Sequence, residues 1–198
     1  MTEEIGLRRR EVVAKLVADR GDMLIVTGLG SPTYDCAAAG DHPLNFYLWG
    51  AMGSAVTVGL GLALAQPDRR VLVITGDGEM LMGLGALATV AVKKPRNLAI
   101  AIIDNEHYGE TGMQPTHTGA GVDLAGMAKT AGFAETATVV GTQALEAGVR
   151  QLRAAPGPVF VAIKVVSGKD PLVLPPRDGA YLKSRFRQAL LGAQAAFA

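Results

Sequence analysis

Five short runs of the chain are predominantly apolar: residues 23–27, 71–75, 98–103, 136–140 and 159–165. Their length and their Val, Ile and Leu content predict strands. Between them lie stretches of helical pattern. Residues 7–18 carry Val12, Val13, Leu16 and Val17 at helical spacing, and residues 52–65 are rich in Gly and Ala, as in a close-packed helix. Residues 80–92 are apolar nearly all round, which predicts a buried helix. Asp123 and Thr142 are expected to cap helices reaching Ala131 and about Ala154. A last amphipathic helix is expected from about Ala180 to the end, with Leu182, Phe186, Ala189, Leu190 and Ala193 on one side. Strands that are apolar throughout are parallel strands covered on both faces. Their alternation with helices predicts one α/β domain over residues 1–198, a doubly wound parallel sheet with helices on both faces. Residues 167–198 would form a C-terminal extension and helix, led over the surface by the Pro- and charge-rich stretch 167–177. Ligands of such sheets sit beyond the carboxyl ends of the strands, which singles out three loops: 28–33, 76–79 and 104–114.

Composition narrows the picture. A chain of 198 residues is long enough for one sizeable core, and with aromatics at 5% that core is built from Ala, Val, Leu, Ile and Met. The 25 glycines imply many tight turns or close backbone approaches. A formal net charge of +1 gives no support for nucleic-acid or anionic-membrane binding. The one basic cluster, Arg8-Arg9-Arg10, reads as a solvated helix face, and no apolar stretch of a signal peptide follows it. The apolar runs 51–65 and 80–92 fall short of the roughly 20 residues of a membrane span. The lone Cys36 excludes an intrachain disulfide and a cysteine-based metal site, and a cytoplasmic location is expected.

The chemistry concentrates after residues 71–75. A strand that ends in Gly76-Asp77-Gly78 and feeds a helix can lay backbone N–H groups against phosphate oxygens. The carboxylate between the glycines would repel a phosphate unless a divalent cation lay between them. Mg²⁺ takes about six oxygen ligands, some commonly from phosphate. A second protein ligand is expected at a neighbouring strand end, and Asn105 follows Asp77 by 28 positions. That spacing suits one helix and one parallel strand returning beside the first.

This stretch resembles the thiamine diphosphate-binding motif, which starts in Gly-Asp-Gly and ends in Asn. The segments Asn45-Phe-Tyr-Leu-Trp-Gly-Ala-Met52-Gly-Ser-Ala55 and Asp104-Asn-Glu-His-Tyr-Gly-Glu-Thr-Gly-Met-Gln-Pro-Thr116 extend the likeness. Together they resemble the sulfopyruvate and phosphonopyruvate decarboxylases, in particular the separate β subunit of the former. The resemblance is good over residues 28–116 and holds in outline beyond. It implies thiamine diphosphate and Mg²⁺ as cofactors. Asp77 and Asn105 would bind the metal through their side chains and His107 through its backbone carbonyl. Gly78 and Glu79 would offer amides to the diphosphate, with Gly76, Tyr108 and Gly109 beside it and Gly30 and Ser31 as further candidates. Met52 would sit under the bend of the cofactor and hold it in a V shape. The implied reaction is addition of the cofactor ylid to a 2-oxo carbon, followed by loss of carbon dioxide.

The family also uses a Glu beside the aminopyrimidine, carried by a domain that this domain does not include. The expected partner is therefore a pyrimidine-binding α subunit in a hetero-oligomer such as α2β2 or larger. Met52, His107, Glu110 and Thr111 are the candidates nearest the reacting substrate, a small 2-oxoacid. Glu110 and Met113 depart from the small or polar residues expected there, and a carboxylate disfavours a dianionic sulfonate or phosphonate unless it is paired or turned away. His117 and His42 are weaker candidates, while Trp49 and Tyr34 are expected to pack. A carboligase or lyase subunit on the same cofactor remains open. So does a 2-oxoacid ferredoxin oxidoreductase subunit, although one cysteine counts against an iron–sulfur cluster.

Overall fold

A computed structural model of the chain describes residues 6–196. The ends of the expected domain lie outside the described residues; the last helix, expected to run to the end, instead stops at Leu191, where Gly192 takes φ +58° and a 3-10 turn follows over Gly192–Ala196. In chain order the elements are α1 (Arg9–Val17), β1 (Leu24–Thr27), α2 (Ser31–Ala38), β2 (Asn45–Tyr47), α3 (Ala55–Ala65), β3 (Val71–Gly76), α4 (Asp77–Met82), α5 (Ala86–Lys93) and β4 (Leu98–Asp104). There follow a two-stranded hairpin of β5 (His107–Tyr108) and β6 (Gln114–Pro115), a 3-10 turn at His117–Ala120, α6 (Leu124–Ala131), β7 (Glu135–Val139), α7 (Gly141–Ala154), β8 (Val159–Lys164) and α8 (Gly179–Leu191).

Six strands form one sheet in the order β2-β1-β3-β4-β8-β7, every neighbouring pair parallel. The fold is the doubly wound α/β arrangement expected from the pattern. Each strand sends alternate residues to opposite faces, and in β1, β3, β4 and β8 both sets are largely apolar. Leu24, Val26, Val73 and Ile100 join a core with α3, α5, α6 and Phe186 of α8. Ile25, Leu72, Ile74 and Ala101 join a second core with α1, α2 and α7. The central strands read as continuous apolar runs because neither face meets water, whereas the edge strand β7 carries exposed Glu135 and Thr138.

The order reverses at β1: its successor in the chain, β2, lies on one side and β3 on the other. That is a topological switch point, where the loops after β1 and β3 diverge and leave a crevice. The register brings the strand ends level there, with Gly76 opposite Ile103 and Asp104 opposite Lys164.

Several local expectations need correction. The loop after β1 is only Gly28 to Gly30, since Ser31-Pro32 opens α2 with Pro in its first turn. The three-residue β2 was not expected as a strand. The helix expected from residue 52 begins at Ala55, after a turn in which Gly53 has φ +85°. The helix expected over 80–92 starts three residues early and is broken at 83–85. Asp123 caps α6 by accepting from the Gly126 amide, whereas Thr142 lies inside the first turn of α7, whose N-cap is Val140. The solvated face expected of Arg8-Arg9-Arg10 holds for exposed Arg8 alone: Arg9 is buried and Arg10 half-buried, because both guanidinium groups pair with the fully buried Asp35 of α2.

Candidate active site

The crevice at the switch point is lined from five directions, one of them Arg9 of α1. Leu29, Ser31 and Pro32 come from the β1–α2 connection, and Met52 from the turn before α3. Gly76, Asp77, Gly78 and Glu79 come from the β3–α4 junction, and Ile103, Asn105, His107, Tyr108, Gly109, Glu110 and Thr111 from β4 and the hairpin.

Asp77 is the first residue of α4 and is 1% exposed. Its Oδ2 accepts from Thr116 Oγ1, and Thr118 Oγ1 lies 3.1 Å from the same oxygen. The Thr118 hydroxyl is also 2.8 Å from Asp104 Oδ1, so one threonine links two buried carboxylates. Burial holds the Asp77 carboxyl above the usual carboxylate range, and the charge of Asp104 adds to this against the two hydroxyl donors. Lys164 sits behind Asp104, with Nζ 2.9 Å from Asp104 Oδ2 and 2.7 Å from Glu106 Oε1. Burial works against the lysine charge, but the two carboxylates outweigh it and hold its pKa above the ordinary value. Lys164 thus serves Asp104, and Asp77 has no cation of its own within ion-pair distance among the described residues.

Asn105 caps the far side. Its Oδ1 accepts from the His107 amide at 3.1 Å, and its backbone oxygen lies 2.8 Å from His107 Nδ1. Glu106 takes φ +63° between them, which turns the chain out of β4 and into the hairpin. The hairpin folds back over α4: a Cβ on Gly78 would fall 2.5 Å from the Tyr108 ring, so only glycine admits that ring. Glu79 is 5% exposed and accepts from the Leu29 amide at 2.7 Å and the Gly53 amide at 3.2 Å. Burial pushes its carboxyl up, opposed first by the Thr75 hydroxyl and then by these amides.

This arrangement is what a cation–diphosphate group requires. It has a buried carboxylate with no paired cation, a neutral amide oxygen at the neighbouring strand end, and a glycine-bearing helix start between them. Both threonine hydroxyls engage Asp77 Oδ2, which leaves Oδ1 unengaged by them. No cluster of three or more His, Cys, Asp or Glu side chains that could hold a metal occurs among the described residues. A site that takes much of its coordination from phosphate needs none.

Residues 29–163 match the family model described as thiamine pyrophosphate enzyme, C-terminal TPP binding domain. The chain belongs to this family. It is 36% identical over 187 residues to sulfopyruvate decarboxylase subunit beta of Methanothermobacter thermautotrophicus, a match covering 94% of this chain and 97% of that one. It is 37% identical over 167 residues to phosphonopyruvate decarboxylase of Streptomyces viridochromogenes, covering 84% of this chain and 42% of the longer relative. Among solved structures, benzoylformate decarboxylase from Polynucleobacter necessarius superposes with a TM-score of 0.70 at 18% identity, over 85% of this chain and 35% of that one. At that identity the likeness speaks for the fold alone. The chain is thus a thiamine pyrophosphate-binding enzyme domain closely related to the β subunits of sulfopyruvate decarboxylases and to phosphonopyruvate decarboxylases.

Nearly every candidate for the thiamine pyrophosphate site lines the one crevice. Gly30 lies at its edge, with φ +73°, under the Glu110 side chain: a Cβ there would fall 2.7 Å from Glu110 Oε1. Thr111 is exposed at the hairpin tip and bonded to Gln114. His117 is exposed on the 3-10 turn and does not line the crevice. His42 lies elsewhere, its Nδ1 accepting from the Leu44 amide. Trp49 packs, with its Nε1 bonded to the Pro176 carbonyl 2.9 Å away. Sequence reasoning missed Arg9 and Ile103 in the lining, had Leu29 and Pro32 only within the 28–33 loop, and gave no role to Thr116 and Thr118 on Asp77 or to Lys164 on Asp104. Thr116 and Thr118 carried a signal in hindsight, two threonines just beyond the Asn105 hairpin. Arg9 carried none. Among the described residues no helix is long and apolar enough to cross a membrane.

Proposed function

We propose that this chain is the diphosphate-binding β subunit of a heteromeric, Mg²⁺-dependent 2-oxoacid decarboxylase acting on a sulfopyruvate- or phosphonopyruvate-like substrate. The observation that carries this reading is the pair Asp77 and Asn105, lining one crevice from neighbouring strand ends at the switch point. The near end-to-end match to a β subunit of a sulfopyruvate decarboxylase supports it.

In this reading Asp77, Asn105 and the His107 carbonyl hold Mg²⁺. The amides of Gly78 and Glu79 meet the diphosphate, Gly76 and Gly109 leave the backbone bare beside it, and Tyr108 closes over the helix start. Gly30 and Ser31 border the diphosphate from the β1 side. Met52 supports the cofactor from beneath. When bound, the cofactor supplies an electron sink for the pair left behind as carbon dioxide departs. His107, Glu110 and Thr111 border the space left for substrate, and Arg9 brings a buried guanidinium to the same wall. Glu110 leans over Gly30, toward the β1 side of the crevice. A pyrimidine-binding partner subunit supplies the activating Glu.

The test is reconstitution with such a partner, thiamine diphosphate and Mg²⁺, followed by a panel of 2-oxoacids with sulfonate, phosphonate and uncharged side chains. Carbon dioxide release by the pair and none by this chain alone is expected. Turnover by the pure chain would overturn the two-subunit reading, and a cofactor-loaded pair inert to the whole panel would overturn decarboxylation. Asp77→Ala should abolish Mg²⁺-dependent cofactor binding by the pair, measured by calorimetry; unchanged affinity would remove Asp77 from the metal site.

A further inference from the structure

Glu79 directly follows Gly-Asp-Gly, where the reading above asks only for a backbone amide. Its side chain is nonetheless a carboxylate, 5% exposed, with no cation within ion-pair distance among the described residues. A buried charge without a counter-ion is unfavourable and persists where something else depends on it. Its partners indicate what that is. Oε2 accepts from the Leu29 amide at 2.7 Å, in the loop after β1, and Oε1 accepts from the Gly53 amide at 3.2 Å, in the turn carrying Met52. One side chain on α4 thus joins the two segments flanking the crevice on either side of it.

The backbone around it is shaped to admit this clamp. A Cβ on Gly28 would fall 1.9 Å from Glu79 Oε2, so the β1 loop reaches the carboxylate only as glycine. Gly53 takes φ +85°, which turns its amide inward directly after Met52. At the other end of α4 a Cβ on Gly83 would fall 2.2 Å from the Gly53 carbonyl oxygen. The Met52 turn is therefore held against α4 at two places: by the carboxylate at the helix start and by a bare-backbone contact at its end.

We propose that the Glu79 carboxylate is a positioning residue that fixes the height of Met52 in the crevice relative to the diphosphate loop. This rests on the reading of Met52 as the support beneath the cofactor. Both bonds run from an amide to a carboxylate oxygen. Glutamine can accept only one of them, since its –NH2 would face the other N–H.

Two measurements test this. In the assembled, cofactor-loaded complex, Glu79→Gln should lower kcat about 10- to 100-fold with little change in KM, as a small misplacement of a positioning group does. In a Met52→Ala background the same change should cost less than about twofold, because neighbours acting through one contact are not additive. Equal losses in both backgrounds would overturn the proposal. Amide hydrogen exchange on the full wild-type chain is the second readout. The Leu29 and Gly53 amides should exchange far more slowly than that of exposed Gly50, and Gly53 should speed up in Glu79→Gln. Gly53 exchanging as fast as Gly50 in the wild type would overturn the clamp, and this comparison decides even where the variant does not fold. A wild-type complex that fails to decarboxylate would count against the proposed function while leaving the exchange result standing.

Discussion

Thr116 and Cys36 mark two ways in which a single buried side chain matters in this domain. The Thr116 hydroxyl donates to Asp77, and its methyl contributes nothing to that bond. Thr116→Val should therefore keep the packing and release the carboxylate, lowering Mg²⁺-dependent cofactor affinity in the reconstituted pair about tenfold, the usual effect of losing an outer partner of a metal ligand. Titration calorimetry measures it, and an unchanged affinity would reduce the threonine to a packing role. Cys36 is wholly buried, and burial pushes its thiol up to about 12. In the unfolded chain it ionises near roughly 8.5. Its contribution to stability is thus complete below that pH and is lost as pH rises toward about 12. Denaturant unfolding at pH 7.5 and pH 10 should show a smaller alkaline loss for Cys36→Ala than for the wild type, and the native thiol should resist alkylation at neutral pH. Sequence alone reached Asp77 and Asn105 because a motif and a spacing carry them. It did not reach Arg9 or the Glu79 carboxylate, because what defines them is a partner 26 or 50 positions away, which no local pattern records.

At the scale of elements, helices lie on the sheet at glycines as well as at leucines. A Cβ on Gly59 of α3 would fall 2.2 Å from Val73 Cγ2 of β3, and one on Gly148 of α7 would fall 2.7 Å from Val139 Cγ2 of β7. Gly59→Ala should therefore destabilise by about 1–3 kcal/mol despite the better helix former, since a methyl forced into a packed layer costs more than propensity returns. At Gly61, on the same helix, an added Cβ meets nothing. Gly61→Ala should be neutral or stabilising, by up to about 1 kcal/mol, and thermal unfolding of the pair of variants separates the two cases. The long apolar strands were legible because both faces are covered. The elements that were not legible are short or interrupted by tertiary contact. β2 has three residues, and α2 hides behind a Gly-Leu-Gly-Ser-Pro run that reads as loop. The break between α4 and α5 is set by the approach of Gly83 to Gly53, thirty positions earlier.

For the whole molecule, the crevice opens at the carboxyl edge of the sheet, and the proposed partner completes it there. A cofactor bound between two chains links their association to its own binding. Whatever factor the partner adds to the affinity for thiamine diphosphate and Mg²⁺, the cofactor must add to the affinity of the subunits for each other. A 100-fold factor corresponds to about 2.7 kcal/mol. Sedimentation of the mixed subunits with and without cofactor measures one side of this equality, and calorimetry on the pair and on the single chain measures the other. Equal factors are expected in both, and cofactor should cease to promote subunit association in Asp77→Ala, in which the cation is no longer held. Subunits that associate equally well with and without cofactor, in a pair that binds it no more tightly than the single chain, would show no coupling at all. The cofactor would then lie within one chain rather than between two.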